Sequence, residues 1–151
     1  MQDSLSQVID QFVSLLSSRK ISEQDQQDIT NLIRALSSVA GDTSRLLKDH
    51  PGLMVTATWY AHKYSIIATD QARLTSQKLN EVYSSLRKNG YDEWTAKRMA
   101  ETNLEYIQLQ RIEDCCRSIS DVLSALVRIA EQRLRILEQL SNNYRTEMRT
   151  S

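Results

Sequence analysis

Apolar residues recur at alternating four- and three-residue steps along the last third of the chain. This spacing places them on one face of a helix and is typical of helices packed in coiled coils or bundles. The repeat is carried by Ile112, Cys116, Ile119, Leu123, Leu126, Ala130, Arg133, Leu137, Leu140 and Tyr144. Because no Gly or Pro occurs after Gly90, the pattern predicts one long helix from Asp92 to Met148.

The N-terminal part of the chain has the pattern of a small helical module. Apolar side chains share one face of residues 4–18, and a second amphipathic helix is expected to start after Ser22, a favourable N-cap residue. Gly41 is suited to the position that follows the end of this helix. His50-Pro51-Gly52 is expected to stop any helical turn that follows. The sequence thus predicts a helical hairpin module over residues 1–50.

The rest of the chain, residues 51–151, is expected to form a long antiparallel helical hairpin. Its first helix is predicted over residues 55–88 and its turn at Gly90, with Asp92 or Thr95 as the cap of the final helix. The predicted fold class is therefore all-α.

The final helix carries more apolar surface than a two-stranded coil needs. Val122, Ile129 and Ile136 lie on one flank of the repeat, and Val127 and Leu134 lie on the other. Such a width is typical of about three or more helices meeting, and the sparse apolar stripe of the preceding helix is not expected to cover it. We therefore expect a homo-oligomer of roughly three or more subunits. The predicted interface comprises Ile119, Leu123, Leu126, Ile129, Arg133, Leu137 and Leu140.

Arg133 is the one charged residue within that repeat. One interpretation is a side chain at the edge of the interface whose guanidinium reaches water. The other is a polar layer that sets the register by pairing with Glu131 or Glu138 of a neighbouring subunit.

Composition bounds the class of protein. Hydrophobic residues make up 40% and charged residues 25% of the 151, which is typical of a folded chain and excludes a disordered one. Nineteen basic and nineteen acidic residues give zero net charge, which permits nucleic-acid binding without requiring it. The neighbouring Cys115 and Cys116 favour a reducing compartment. With no membrane span or targeting segment recognisable, we expect a cytoplasmic protein without membrane contact.

The sequence shows no pattern typical of an enzyme. No Gly-rich phosphate loop, nucleophile elbow or convergent acid and base residues are visible, so neither catalysis nor a cofactor is expected. His50 and His62 have no Cys or carboxylate at ligand spacing, and no metal site is expected. Trp59, Tyr60 and Tyr64 are expected to pack against the N-terminal module.

Basic and aromatic residues are mixed around the predicted turn at Gly90. Phosphates bind to basic side chains and bases stack on aromatic rings, so this mixture suits single-stranded nucleic acid. The candidate residues are Lys78, Arg87, Lys88, Tyr91, Trp94, Lys97 and Arg98. The alternative is a solvated turn whose rings only anchor the chain.

The order of these features resembles that of phage recombination mediators of the UvsY type. The similar segments are TATWYAHKYSIIATDQARLTSQKLNEVYSSLRKNG and the end of the final helix, LRILEQLSNNYRTEMR, so the resemblance covers about residues 55–149. The resemblance implies a non-enzymatic oligomer that binds single-stranded DNA and helps a recombinase displace the single-strand-binding protein. The chain departs from such mediators in having few basic residues ahead of Gly90.

Two functions follow as hypotheses. The first is this recombination mediator, with single-stranded DNA, a recombinase and a single-strand-binding protein as partners. The second is a helical structural or adaptor protein that binds another protein and no nucleic acid. The zero net charge favours it, and so does the N-terminal helical hairpin, whose apolar face could dock a partner helix.

Overall fold

Four helices make up the computed structural model in the residues that it describes, which are Gln7, Asp10, 21–38 and 43–150. They are α1 (Glu23–Ser37), α2 (Thr43–Lys88), α3 (Glu93–Glu101) and α4 (Leu104–Thr150). No strand occurs within these ranges, and the all-α prediction is confirmed. Of the helix predicted over residues 4–18, the structure describes only Gln7 and Asp10, both helical, and the predicted role of Gly41 lies outside the described residues.

Helix α1 begins where the sequence predicts. The Ser22 hydroxyl accepts a hydrogen bond from the Asp25 backbone N–H at 3.2 Å, and Glu23 and Asp25 stand in the first turn, where carboxylates favour the helix dipole. The helix buries one face, formed by Ile29, Leu32, Ile33 and Leu36.

Helix α2 passes straight through the predicted stop at His50-Pro51-Gly52, so that prediction is wrong. Pro51 lacks a backbone N–H and removes one helical hydrogen bond, the one that the Leu47 carbonyl would accept. Side chains on both sides of it, His50 and Ala57, are buried, and this packing holds the segment helical. The predicted division between residues 50 and 51 therefore falls inside one helix of 46 residues.

The predicted single helix from Asp92 to Met148 is in fact two helices, α3 and α4. The Thr102 hydroxyl donates to the Arg98 carbonyl at 3.1 Å, and the Asn103 side-chain oxygen accepts from the Tyr106 N–H at 3.1 Å. These two polar side chains end one helix and start the next, as Thr and Asn do when they compete with helical hydrogen bonds.

Helices α2 and α4 pack against each other in opposite directions. Lys78 of α2 contacts Glu105 at the start of α4, whereas Met54 lines a groove together with Val127, much later in α4. Between these points the Gln71 side chain donates to the Leu109 carbonyl at 3.4 Å.

Helix α1 packs with α2 and α4 around one shared core. Ile119 and Leu123 are 0% exposed and share one core with the apolar face of α1 and with Tyr64 of α2. The expectation that a single chain cannot cover these two residues is corrected, because this shared core buries both. Ile119 and Leu123 consequently have no free surface for a second subunit.

Three buried or half-buried polar contacts fasten the first half of α1 to α2. The Tyr60 hydroxyl donates to Asp28, and the Tyr64 hydroxyl and the Lys63 ammonium both donate to Asp25, each at 2.7 Å. Burial raises the pKa of the Asp25 carboxyl, but the hydrogen bonds from Lys63 and Tyr64 outweigh burial and leave this pKa below its ordinary value. Tyr60 and Tyr64 thus pack against the N-terminal part of the chain, as expected, whereas the expectation is wrong for Trp59, which is 57% exposed.

Arg133 fastens the other end of α1. Its guanidinium donates to the Ser38 carbonyl at 3.2 Å and to the Leu36 carbonyl at 3.5 Å. These carbonyls belong to the carboxyl end of α1, where helical partners are missing and a cation is favoured by the helix dipole. Neither interpretation of Arg133 drawn from the sequence included this contact within one chain.

The remaining predicted interface residues are partly or largely exposed. Leu126 and Leu137 are half-buried, whereas Ile129 is exposed, Leu140 is 59% exposed, and residues 142–150 are exposed throughout. The apolar surface available to a second subunit therefore lies toward the carboxyl end of α4, where it also includes Ile136, Tyr144 and Met148.

Leu123→Ala should lower the free energy of unfolding by about 3 kcal/mol, because it leaves a cavity in the core beneath α1. Leu140→Ala, the same change at an exposed position of the same helix, should cost less than about 1 kcal/mol in the monomer. Urea unfolding followed by circular dichroism at low protein concentration measures both values. Equal effects of the two substitutions would contradict this burial pattern.

Alanine at Gly90 and at Gly52 should change stability in opposite directions. Gly90 has φ +93°, where an alanine costs about 1–2 kcal/mol, whereas Gly52 lies inside α2, where alanine gains about 0.5–1 kcal/mol. No atom lies within 4 Å of the added methyl at either position, so backbone conformation alone sets the two signs. Thermal unfolding of both variants gives the comparison, and a stabilised Gly90→Ala would be inconsistent with the turn.

Candidate nucleic-acid interface

The candidate interface lies at the tip, which we define as residues 87–101, between the end of α2 and the end of α3. Gly90 turns the chain there in a left-handed conformation. The Tyr91 N–H donates to the Leu86 carbonyl at 3.3 Å and the Gly90 N–H to the Arg87 carbonyl at 3.1 Å. This pair of bonds is the Schellman arrangement, which satisfies carbonyls at a helix end. The predicted turn at Gly90 is confirmed.

Asp92 starts α3 and fixes its direction relative to the turn. Its carboxylate accepts hydrogen bonds from the Thr95 backbone N–H at 2.8 Å and from the Thr95 hydroxyl at 2.9 Å. The backbone bond is the main cause of a pKa for Asp92 below its ordinary value. Of the two caps that the sequence allowed, Asp92 is the one used.

Two small residues determine which side of α3 faces solvent. Ala96 and Ala100, one turn apart, are buried. Alanine lets α3 lie close to its neighbours, and the opposite side of the helix therefore faces outward. Trp94, Lys97 and Arg98 are on this exposed side.

Trp94 and Arg98 form a pair on the outer face of α3. The Arg98 guanidinium lies 5.1 Å from the centre of the Trp94 ring, within range of a cation–π interaction. Trp94 is nevertheless 69% exposed, which is high for the largest apolar side chain. A ring and a cation are therefore presented together to solvent.

The other candidate residues at the tip are exposed as well. Arg87 donates to the Tyr91 carbonyl at 3.1 Å, and the Tyr91 ring is partly exposed. Lys88 and Lys97 are exposed and have no ion-pair partner among the residues that the structure describes. Of the seven predicted residues, six thus lie at the tip with accessible side chains.

Lys78 is the exception, because its ammonium group is occupied by carboxylates. It lies 2.6 Å from Glu105 and 3.7 Å from Glu81, and the hydrogen bond to Glu105 is the main cause of a raised pKa. Lys78 therefore ties α2 to the start of α4. The sequence placed Glu105 too far along the chain for this pairing to be foreseen.

Acidic residues accompany the basic ones at the tip. Asp92, Glu93 and Glu101 are exposed there, so the electrostatic attraction for a phosphate chain is modest in one subunit. All three carboxylates oppose an anion, although Asp92 also accepts hydrogen bonds from Thr95. The exposed Leu104, just beyond the tip, adds apolar surface that the sequence reading did not include.

A cavity of about 530 Å³ lies at the N-terminal end of α1, between α1, α2 and α4. Asp25 and Lys63 line its polar side, whereas Ile67, Leu109 and Ile112 line its apolar side. The nearby Cys116 is buried, and burial raises the pKa of its thiol to about 11. The charges of Asp25 and Lys63 already satisfy each other, so the cavity shows no preference for a charged ligand.

The described ranges contain neither a membrane-spanning helix nor a metal cluster. None of the helices in residues 21–38 and 43–150 combines the length and the apolar character needed to cross a membrane. The same ranges contain no group of three or more His, Cys, Asp or Glu side chains placed to hold a metal ion.

Comparison with protein families, with curated proteins and with solved structures finds no match to this chain.

Proposed function

We propose that this protein is a non-enzymatic, oligomeric mediator that binds single-stranded DNA through its tip and assists the loading of a recombinase. The exposed Trp94–Arg98 pair is the observation that carries the proposal. Aromatic rings beside cations are the groups on which unpaired bases stack, since every base has a π-face. Double-stranded DNA offers no free base face to such a pair.

Charge around this pair supports a backbone contact. Arg87, Lys88 and Lys97 stand exposed on the same tip and are available for phosphates. One tip is only weakly basic, so useful affinity requires several tips acting on one strand. Linked sites raise the overall affinity without new contacts, provided that one strand can reach them together.

The exposed end of α4 supports assembly into an oligomer. Ile129, Ile136 and Leu140 are each at least half exposed, although another face of the same helix is buried in the core. A continuous apolar surface of this kind favours association with further copies. The tip lies at the opposite end of the long helices, so this association leaves it accessible.

A second function is favoured by a different observation. A groove of about 350 Å³ between α2 and α4 is lined by Pro51, Met54, Val55, Val127 and Leu134 and is open to solvent. An amphipathic helix of another protein would fit such a groove. This is the adaptor hypothesis, in which the tip binds no nucleic acid.

Fluorescence anisotropy with labelled oligo-dT over a salt series separates the two functions. Trp94→Ala should weaken binding by about fivefold or more, since stacking contributes about 1–3 kcal/mol per base. Lys97→Ala should reduce the slope of log K against log salt by about 0.7 for each tip that contacts the strand, the value for one lost phosphate contact on a single strand. Trp59→Ala, at another exposed tryptophan far from the tip, is the matched control and should leave the affinity unchanged.

Reversal of the four tip charges, with Arg87, Lys88, Lys97 and Arg98 changed to Glu, should abolish binding. Absence of binding by the wild-type chain at low salt would exclude the mediator and leave the adaptor.

Light scattering at micromolar concentration should show an oligomer of roughly three or more subunits. Combined Ile136→Glu and Leu140→Glu should lower the mass without loss of helical content, because both side chains are exposed in the single chain. Leu104→Glu, at an equally exposed leucine beside the tip, serves as the control and should leave the mass unchanged. A monomeric wild-type protein would contradict the proposed assembly.

A further inference from the structure

His50 is a buried imidazole without a hydrogen-bond partner. Its side chain is 3% exposed, and neither Nδ1 nor Nε2 bonds to any group among the described residues. Buried polar groups are nearly always paired, and each exception calls for a physical reason. A neutral imidazole tolerates such a site far better than a charged one does, because the cation has two N–H donors to satisfy and loses its hydration.

The charged groups around His50 oppose a second positive charge. The positive charge of Arg133 of α4 disfavours the protonated imidazole. The negative charge of the neighbouring Asp49 of α2 favours it, but Asp49 is exposed. At this end α1 contributes the Leu36 and Ser38 carbonyls, which Arg133 already binds. Burial, followed by the positive charge of Arg133, lowers the pKa of His50 below its ordinary value.

The chain next to His50 is the weakest point of α2. Pro51 leaves the Leu47 carbonyl without its helical N–H partner, and Gly52 is a poor helix former. His50 therefore packs within a segment of α2 that has lost one backbone hydrogen bond. Residues 43–50, about two turns, lie on the N-terminal side of this point.

We propose that His50, Pro51 and Gly52 form an acid-sensitive hinge in α2. When His50 takes up a proton, residues 43–50 separate from α4 to bring the imidazolium to water, and the carboxyl end of α1 loses its contact with Arg133. The rest of α2, α3 and α4 stay packed. This conformational change is independent of nucleic-acid binding at the tip.

The direction of the pH dependence follows from linkage. His50 binds its proton more readily in the open form, where its pKa is the ordinary value of about 6.5. The closed form is therefore fully stable above about pH 6.5 and loses stability as the pH falls from there toward the lowered pKa. One linked proton changes the opening equilibrium by at most about tenfold per pH unit.

Hydrogen–deuterium exchange of the full chain between about pH 7.5 and pH 5.5 tests the hinge on either side of that value. Labelling times are scaled for the intrinsic pH dependence of amide exchange. In the wild type, exchange in residues 43–50 and at the carboxyl end of α1 should rise by about tenfold over this range. Exchange in α3 should stay constant, which separates local opening from global unfolding.

Three variants make the test specific. His62→Gln, at the exposed second histidine, should behave as the wild type, whereas His50→Leu should show no rise at acidic pH. Arg133→Gln should raise exchange at the end of α1 at every pH and reduce its dependence on pH. His50→Gln replaces His50→Leu if circular dichroism shows that the latter does not fold.

An equal rise of exchange at acidic pH in the variant that lacks the His50 imidazole would overturn the proposal. Constant exchange in the wild type, with the His50 imidazole shown by NMR to be protonated at the lower pH, would overturn it as well.

Discussion

The structure depends on the closure of α1 over the apolar face of α4. Ile119 and Leu123 are completely buried in the core that α1 forms together with α2 and α4. Burial of a leucine or isoleucine contributes about 1.5–3 kcal/mol, so these two contacts are a large part of the stability of such a chain. Everything that fastens α1 therefore also protects the core.

Two different kinds of contact fasten the two ends of α1. The first half is held by charged and hydrogen-bonded groups, Asp25 with Lys63 and Tyr64, which stay paired over the whole neutral range. The other end is held by Arg133, beside the unpartnered His50. Mild acid acts only on this second end, because the lowered pKa of Asp25 keeps its carboxylate charged there.

The length of α2 separates the tip from the proposed hinge. His50 and Lys88 are separated along α2 by about 57 Å of helix. The proposed DNA contact at the tip and the proposed hinge can thus be altered independently by substitution. The exposed apolar end of α4 lies on the side of the hinge, so the proposed assembly and the proposed acid response share one end of the molecule.

Local signals in the sequence determined the start of α1, the start of α3 and the turn between α2 and α3. Ser22, Asp92 and Gly90 act as predicted because a cap or a left-handed turn involves only neighbouring residues. The tip residues were likewise predicted, since the turn alone places them together. The tertiary structure decided what covers each apolar face and which charges pair. Pro51 stays helical and Ile119 is buried in the core because residues distant in sequence supply the packing surface. Lys78 binds Glu105 for the same reason, since its partner is distant in sequence. Periodicity defines the apolar face of a helix but does not determine which element packs against it.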